Sequence, residues 1–292
     1  MAPAHPLPTT LQAMISGIKT FLRPPVLAMI MPSIAHAQTL ADPTAAGNQQ
    51  PTVLVTPNNI PLVHIQTPSA AGVSRNAYRQ FDVPPPGAIL NNSRTNVQTQ
   101  LGGWVQGNPW LATGSARVIL NEIHSNHPSL LRGHVEVAGQ RAQVVVANPS
   151  GVTCDGCGFI NAHRATVTTG TPTINSGNLE GFRVQGGGVT IMGHGMDART
   201  TDYTDILTRA AQINAGIWAK QLNVVTGTNQ ISIDQASGHL NVRATPVTTE
   251  ATPTFARSHS TPFVHATGPV GSYTKQATAV PASLFRSAQL GG

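Results

Sequence analysis

The chain has 292 residues, enough to bury a sizeable core without help from disulfide staples. Only 10% of it is Asp, Glu, Lys or Arg, while Gly (28) and Pro (23) are abundant, a composition that excludes a charged helical bundle and points to a turn-dense β protein. The formal net charge is +6, but the Lys and Arg residues are scattered singly with little aromatic surface between them, which argues against a nucleic-acid groove.

Residues 1–37 read as a signal peptide. Lys19 and Arg23 precede the apolar run PPVLAMIMPSIAHAQ, and Ala35-His36-Ala37 offers a small-x-small cleavage pattern, so cleavage is expected between Ala37 and Gln38. Pro32 interrupts the run, which falls short of the ~20 residues that span a bilayer. Export through the inner membrane by the Sec machinery is expected, with a soluble mature chain in the periplasm or beyond.

Residues 38–50 look like a mobile lead-in. From about Thr52 short apolar alternations follow one another, among them TVLVTPNNIPLVHIQTP, ARVILNEI and LRGHVEVAGQRAQVVVANPSG, each a strand of a few residues bounded by Gly, Asn, Pro or Asp. At Val144–Gly170 three β-branched residues run into Asn148-Pro149-Ser150-Gly151. There Pro149 fixes φ for the first corner of a β-turn and Gly151 accepts a conformation other residues resist. In an exported chain, Cys154 and Cys157 are expected to close a local disulfide; the alternatives are redox or metal chemistry and free thiols. No third Cys exists to complete a zinc knuckle, and the flanks are not a helix N-terminus.

TDYTDILTRAAQI has Tyr203, Ile206, Leu207, Ala210 and Ala211 at helical spacing, yet its continuation is strand-like, so the state of Thr201–Ile213 stays open. The stretches GNLEGFRVQGGGVTIMG, AAQINAGIWAKQLNVVTG and TNQISIDQASGHLNVRA each hold two short strands around a small or polar turn. Units of this kind bury their inward side chains by stacking, which predicts a parallel β-solenoid, with a β-sandwich as the alternative. Residues 243–292 are Pro, Thr, Ala and Ser with isolated apolar residues, a low-complexity tail expected to be disordered.

Catalytic signals are thin. Asp197, Asp202 and Asp205 with Arg199 nearby have the residue types of an acid/base pair or a calcium site, but turn and ladder roles explain them more simply. His124 and His127 lack an acidic or Cys partner at ligand spacing, and GGGVTIMGHG lacks the Lys and helix of a phosphate loop. No enzyme activity, metal, cofactor or small-molecule substrate is expected. A β-helical polysaccharide lyase or hydrolase and a free-standing carbohydrate-binding adhesin are the competing functions.

Three blocks, LNNSRTNVQTQLGGWVQGNPWL, ARVILNEIHSNHPSLLRGHVEVAGQRAQVVVANPSGVTCDGCGFINAHRATVTTGTP and DYTDILTRAAQINAGIWAKQLNVVTGTNQ, together resemble the N-terminal secretion domain of filamentous haemagglutinin and contact-dependent-inhibition exoproteins. These are the secreted halves of two-partner secretion (TPS) systems, and the resemblance covers roughly residues 50 to 232. It implies an all-β, right-handed parallel β-helix with an N-terminal cap and extra-helical hairpins, here over residues 51–242. It also implies recognition in the periplasm by the POTRA domains of a cognate Omp85-type outer-membrane β-barrel transporter. Secretion to the cell surface or medium of a Gram-negative bacterium follows, with a host or neighbouring cell surface as a further partner of the adhesin or inhibition filament such a domain leads.

The family's landmarks are an Asn-Asn-Ser motif and an Asn-Pro-Asn-Gly or Asn-Pro-Asn-Leu motif. The first is intact as Asn91, Asn92 and Ser93; the second is Asn148, Pro149, Ser150 and Gly151, departing at its third position. These seven residues are the expected transporter-recognition set. The chain ends at Gly292 without haemagglutinin repeats or a toxin, which reads as a truncated or split product.

Overall fold

The structure is a computed structural model that describes residues 38–234, 240–244 and 272–276. The proposed signal peptide, including Ala37, and most of the proposed tail lie outside the described residues.

The chain enters through β1 (Thr39–Ala41), a 3-10 turn at Gly47–Gln49, β2 (Thr52–Val55) and β3 (Pro61–His64). β2 and β3 are an antiparallel pair with Leu54 opposite Leu62. β4 (Val73–Phe81) opens the coil stack, with β1 antiparallel along it, and β5 (Ala88–Asn92) pairs parallel with β3. An excursion follows: β6 (Val97–Thr99) and β7 (Gly103–Val105) form a hairpin, then a 3-10 turn at Pro109–Leu111.

The next coil is β8 (Val118–Ile123), β9 (Ser129–Leu131) and β10 (His134–Gly139). Above it sit β11 (Ala142–Ala147) and β12 (Val152–Ile160), the latter long enough to supply two sides: Thr153 pairs with Leu130 of β9, and Phe159 with Val135 of β10. β13 (Ala162–Thr168) starts a fourth coil, from which the hairpin β14 (Thr171–Asn175) and β15 (Asn178–Val184) projects before β16 (Gly188–Ala198) closes it. β17 (Tyr203–Thr208), β18 (Ala210–Ile213) and β19 (Ile217–Ala219) make a fifth. After β20 (Gln221–Thr226), β21 (Asn229–Ile233) and β22 (Leu240–Ala244) return to extend the β14–β15 hairpin into a four-stranded antiparallel sheet. β23 (Ser272–Gln276) lies antiparallel along β20.

Like positions stack. Asn76, Asn121, Val146, Val167, Ile206 and Val224 are successive parallel register partners from β4 to β20. This in-register stacking of parallel strands from coil to coil is the parallel β-helix expected from the sequence and excludes the sandwich alternative. The inward side chains Ile119, Val144, Val146, Val167, Ile206 and Val224 meet Val135, Val137, Phe159, Ile191 and Ile217 from the other sides in one fully buried core.

The outward side chains of the same strands are buried as well. Val118, Leu120, Val145, Ala147, Leu207 and Val225 are covered by Leu179, Phe182, Val184 and Ile231 of the antiparallel sheet. At about 1.5–3 kcal/mol for each fully buried side chain of this size, the added sheet is a main source of stability rather than an ornament. Its close approach depends on Gly181, where a Cβ would lie 1.8 Å from the Ile231 carbonyl oxygen. A second outer cluster, Ile60, Leu62, Ile89, Val105 and Ala138, seats the β6–β7 excursion on the opposite wall.

Three sequence expectations change, and one state left open is decided. Residues 38–50 are not a mobile lead-in: Gln38 accepts from the Asp82 N–H at 2.9 Å, Asp42 donates to the Ala77 carbonyl at 3.0 Å, and β1 caps the stack. Thr201–Ile213, whose state the sequence leaves open, carries the strands β17 and β18: Ile206 and Leu207 are buried on opposite faces of β17, so a doubly covered strand mimics helical spacing. Two of the three predicted solenoid units are not coils: GNLEGFRVQGGGVTIMG divides between β15 of the added sheet and coil strand β16, and TNQISIDQASGHLNVRA supplies β21 and β22, an antiparallel pair of that same added sheet. Within 243–292, the residues of β23 pair with β20 rather than lacking structure.

Candidate recognition site

Asn148 follows the last residue of β11, where the chain must turn a corner. The Gly151 N–H donates to the Asn148 carbonyl at 3.0 Å and closes the turn, with Gly151 at φ 124°. The Asn148 side chain is completely buried. Its Oδ1 accepts from the Ser150 N–H at 2.9 Å, and its Nδ2 donates to the His127 carbonyl at 2.9 Å and to Ser129 Oγ at 3.0 Å. One amide thus holds its own turn and ties it to the coil below. Ser150 Oγ adds a bond to the Ser125 carbonyl at 3.1 Å, so the departure from the family's Asn leaves the corner anchored. Pro149 is the exposed residue of the four.

The Asn-Asn-Ser motif ends β5 and is equally hidden: Asn91 and Asn92 are fully buried and Ser93 is 7% exposed. Asn91 Nδ2 donates to the Gln106 carbonyl at 2.8 Å, holding the excursion down, while its Oδ1 accepts from the Ser93 N–H at 3.1 Å. Asn92 Nδ2 donates to the carbonyls of Ala116 and Gln140, and its Oδ1 accepts from the Ala116 N–H. Ser93 Oγ donates to the Thr95 carbonyl at 2.7 Å. All three side chains of this motif are therefore turned inward: a primary amide carries donors and an acceptor on one short arm, and Asn91 and Asn92 direct theirs into the fold.

The two motifs sit at different corners of the coil stack. Sequence reasoning missed a third residue of the same design. Asn108 Oδ1 accepts from the Trp110 N–H at 3.0 Å, and its Nδ2 donates to the carbonyls of Ile65 at 2.8 Å and Asn91 at 2.9 Å. Asn108-Pro109 repeats the Asn148-Pro149 pair, and that dipeptide was the available signal. Also missed was Glu136, whose carboxylate accepts from the N–H groups of Gln100 and Leu101 at 2.7 and 2.8 Å and pins the hairpin turn.

Cys154 and Cys157 form a disulfide with buried sulfurs. It lies inside β12 rather than in a loop, at the register shift between Asp155 and Cys157 where the strand passes from one side of the coil to the next. Asp155 accepts from the backbone N–H and ring of His194, which hold its carboxyl below the usual range.

Asp197, Asp202 and Asp205, grouped in the sequence, are each engaged by a cation. Asp197 binds Arg199 at 2.6 Å, and that guanidinium holds its pKa down. Asp202 bridges Arg141 at 2.9 Å and Lys220 at 3.1 Å, which outweigh burial and keep it ionised. Asp205 is buried against Arg164 at 2.6 Å, with Thr166 and Asn223 as further donors. His124 faces Asp42 at 2.9 Å, and His127 contributes its carbonyl to Asn148. Among the described residues no group of three His, Cys, Asp or Glu could hold a metal ion.

Residues 37–267 match the family described as TPS secretion domain. The chain belongs to that family. The TPS domain is similar to toxin CdiA of Yersinia pestis, 56% identical over 210 residues, covering 72% of this chain and 6% of the relative. It is 47% identical over 224 residues to tRNA nuclease CdiA-2 of Burkholderia pseudomallei, covering 76% of this chain and 7% of that protein. The crystal structure of the filamentous hemagglutinin secretion domain superposes with a TM-score of 0.63 at 32% identity, covering 76% of this chain and 72% of that one. The chain thus spans a small fraction of the curated relatives' length, and the nuclease names describe those whole proteins. It is the secretion domain of a CdiA and filamentous haemagglutinin type exoprotein; TPS exoproteins are secreted from Gram-negative bacteria, and neither family nor relatives support a polysaccharide lyase.

Proposed function

We propose that this TPS domain is a non-enzymatic export address, delivered to the periplasm by the Sec machinery and recognised there by the POTRA domains of a cognate Omp85-type transporter. It leads its exoprotein to the cell surface or medium, as the N-terminal part of an adhesin or contact-dependent-inhibition filament that meets host or neighbouring cells. The carrying observation is that the Asn-Asn-Ser motif, and the Asn-Pro motif with Ser150 at its third position, are occupied as corner staples in a chain that matches the family over residues 37–267.

In this reading Asn91, Asn92, Ser93, Asn148, Pro149, Ser150 and Gly151 serve recognition through the surface their turns hold in place. Their burial supports that division: the amides of Asn92 and Asn148 have no exposed surface, whereas Pro149 does. Side-chain contact with the three asparagines requires a chain that has not yet folded.

The test is co-expression with the barrel transporter encoded beside the gene. Release of the mature chain into the medium is expected only with that barrel. Equal release from cells lacking it would overturn the proposal.

A further inference from the structure

The described part of the stack begins with an open strand edge. β2 is the last strand of its sheet; it pairs with β3 on one side, and among the described residues no strand pairs with the other. An edge of this kind carries a row of backbone donors and acceptors, which soluble proteins usually blunt with charge or bulges. Here residues 43–62 contain no Asp, Glu, Lys or Arg.

The side chains around this edge are apolar and exposed. Leu54 is 42% and Val55 62% exposed on β2, and Trp110, 44% exposed, is fastened beside them by its indole N–H to Thr52 Oγ1 at 3.2 Å. Leu40 of the adjoining β1 is 45% exposed. These four belong to a short set of large exposed hydrophobic residues in the described chain.

Charge says what kind of strand fits. Arg94 reaches the Ala112 carbonyl at 3.2 Å, two residues beyond Trp110, and Arg79 is exposed next to β1; neither is paired with a carboxylate among the described residues. The acids at this end are spent: Asp42 is buried against Thr44 and His124, and Asp82 accepts from the Leu130 N–H and the Gln80 amide. The exposed charge is therefore positive. A second copy would bring its own arginines against these, whereas an acidic neighbour would be attracted.

We propose that the β2 edge, with Leu54, Val55 and Trp110, is a strand-addition site for an extended segment of the transporter that is uncharged and apolar at its centre and acidic at its flank. Backbone hydrogen bonds to β2 supply affinity, contact with Leu54 and Trp110 fixes register, and Arg94 steers the approach. This rests on the transporter reading above and names the face it engages.

The test uses the full exported chain and the soluble POTRA segment of the neighbouring transporter, immobilised. The double variant Leu54→Lys, Val55→Lys is expected to weaken binding about tenfold or more, since charges on an edge oppose strand addition. Its unfolding midpoint should match the parent, because both side chains are exposed. Arg94→Glu should slow association and flatten its salt dependence. If the parent binds and the double variant binds equally well, this site is wrong and the export reading stands. If the parent does not bind, both fall. If sedimentation shows a parent dimer that the double variant dissolves, the occupant is a second copy and the transporter site is rejected.

Discussion

The side chain of Asn92 and the backbone of Ala116 exchange two hydrogen bonds, Nδ2 to carbonyl at 2.9 Å and N–H to Oδ1 at 2.7 Å. An amide side chain here imitates a paired strand residue across the base of the excursion, and a further bond from Nδ2 to the Gln140 carbonyl at 2.8 Å reaches the next corner. Asn92→Ala leaves three backbone groups without that partner, the N–H and carbonyl of Ala116 among them buried. A loss of about 2–4 kcal/mol is expected from denaturant unfolding, with an unchanged m-value. Asn92→Asp should not rescue it, because a carboxylate cannot donate to the two carbonyls.

Asn148 and its neighbour Ser150 should separate sharply. Asn148→Ala removes the bonds to His127, Ser129 and Ser150 from a fully buried position, and should cost about 2–3 kcal/mol. Ser150→Asn places the family's residue on a half-exposed corner and should leave stability within about 0.5 kcal/mol. Release into the medium measured beside unfolding midpoints distinguishes a folding defect from a recognition defect: at Asn148 the two should fall together.

Stability should decline on mild acidification. Burial holds the pKa of His64 below its ordinary 6.5, and burial with the nearby Arg141 charge does the same for His163. As pH falls through 6.5 the unfolded chain takes up protons that the folded chain refuses, so the unfolded state gains and stability drops with decreasing pH. His64 Nε2 has no hydrogen-bond partner in the fold, so His64→Gln loses no bond there. That variant should show a shallower decline in urea midpoint between about pH 7 and 5. An identical slope would show that His64 titrates normally.

Reducing the disulfide should have a modest thermodynamic effect. Its sequence separation is 3, and a loop that small restrains the unfolded chain by about 2 kcal/mol. Because both sulfurs are buried, reduction should proceed through opening of the fold, and its rate should rise with denaturant well below the unfolding midpoint. Mass spectrometry of alkylated thiols follows that rate.

The regular part of this fold was legible because it is local. Val144–Ala147 reads as a strand from four consecutive small or β-branched residues, and its run without polar alternation signals cover on both faces. The helical spacing in Tyr203–Ala211 misleads for the same reason, since the identity of what covers Leu207 is fixed by Phe182 and its neighbours in a distant hairpin. The asparagines were the harder case. In sequence Asn148 is a polar residue in a turn, which ordinarily means exposure; its burial depends on a carbonyl 21 residues earlier. Asn92 likewise depends on partners 24 and 48 residues away. Lead-in residues 38–50 look unstructured because their order comes from β4 and Asp82 rather than from any pattern of their own.

The bridge between Cys154 and Cys157 has a topological meaning as well. A covalent tie between residues this close encloses no other part of the polypeptide and cannot lasso or knot it. Oxidised and unfolded, the chain keeps the contour of a single file with one small bead. Such a thread passes a narrow channel end-on, so early oxidation and late threading do not conflict.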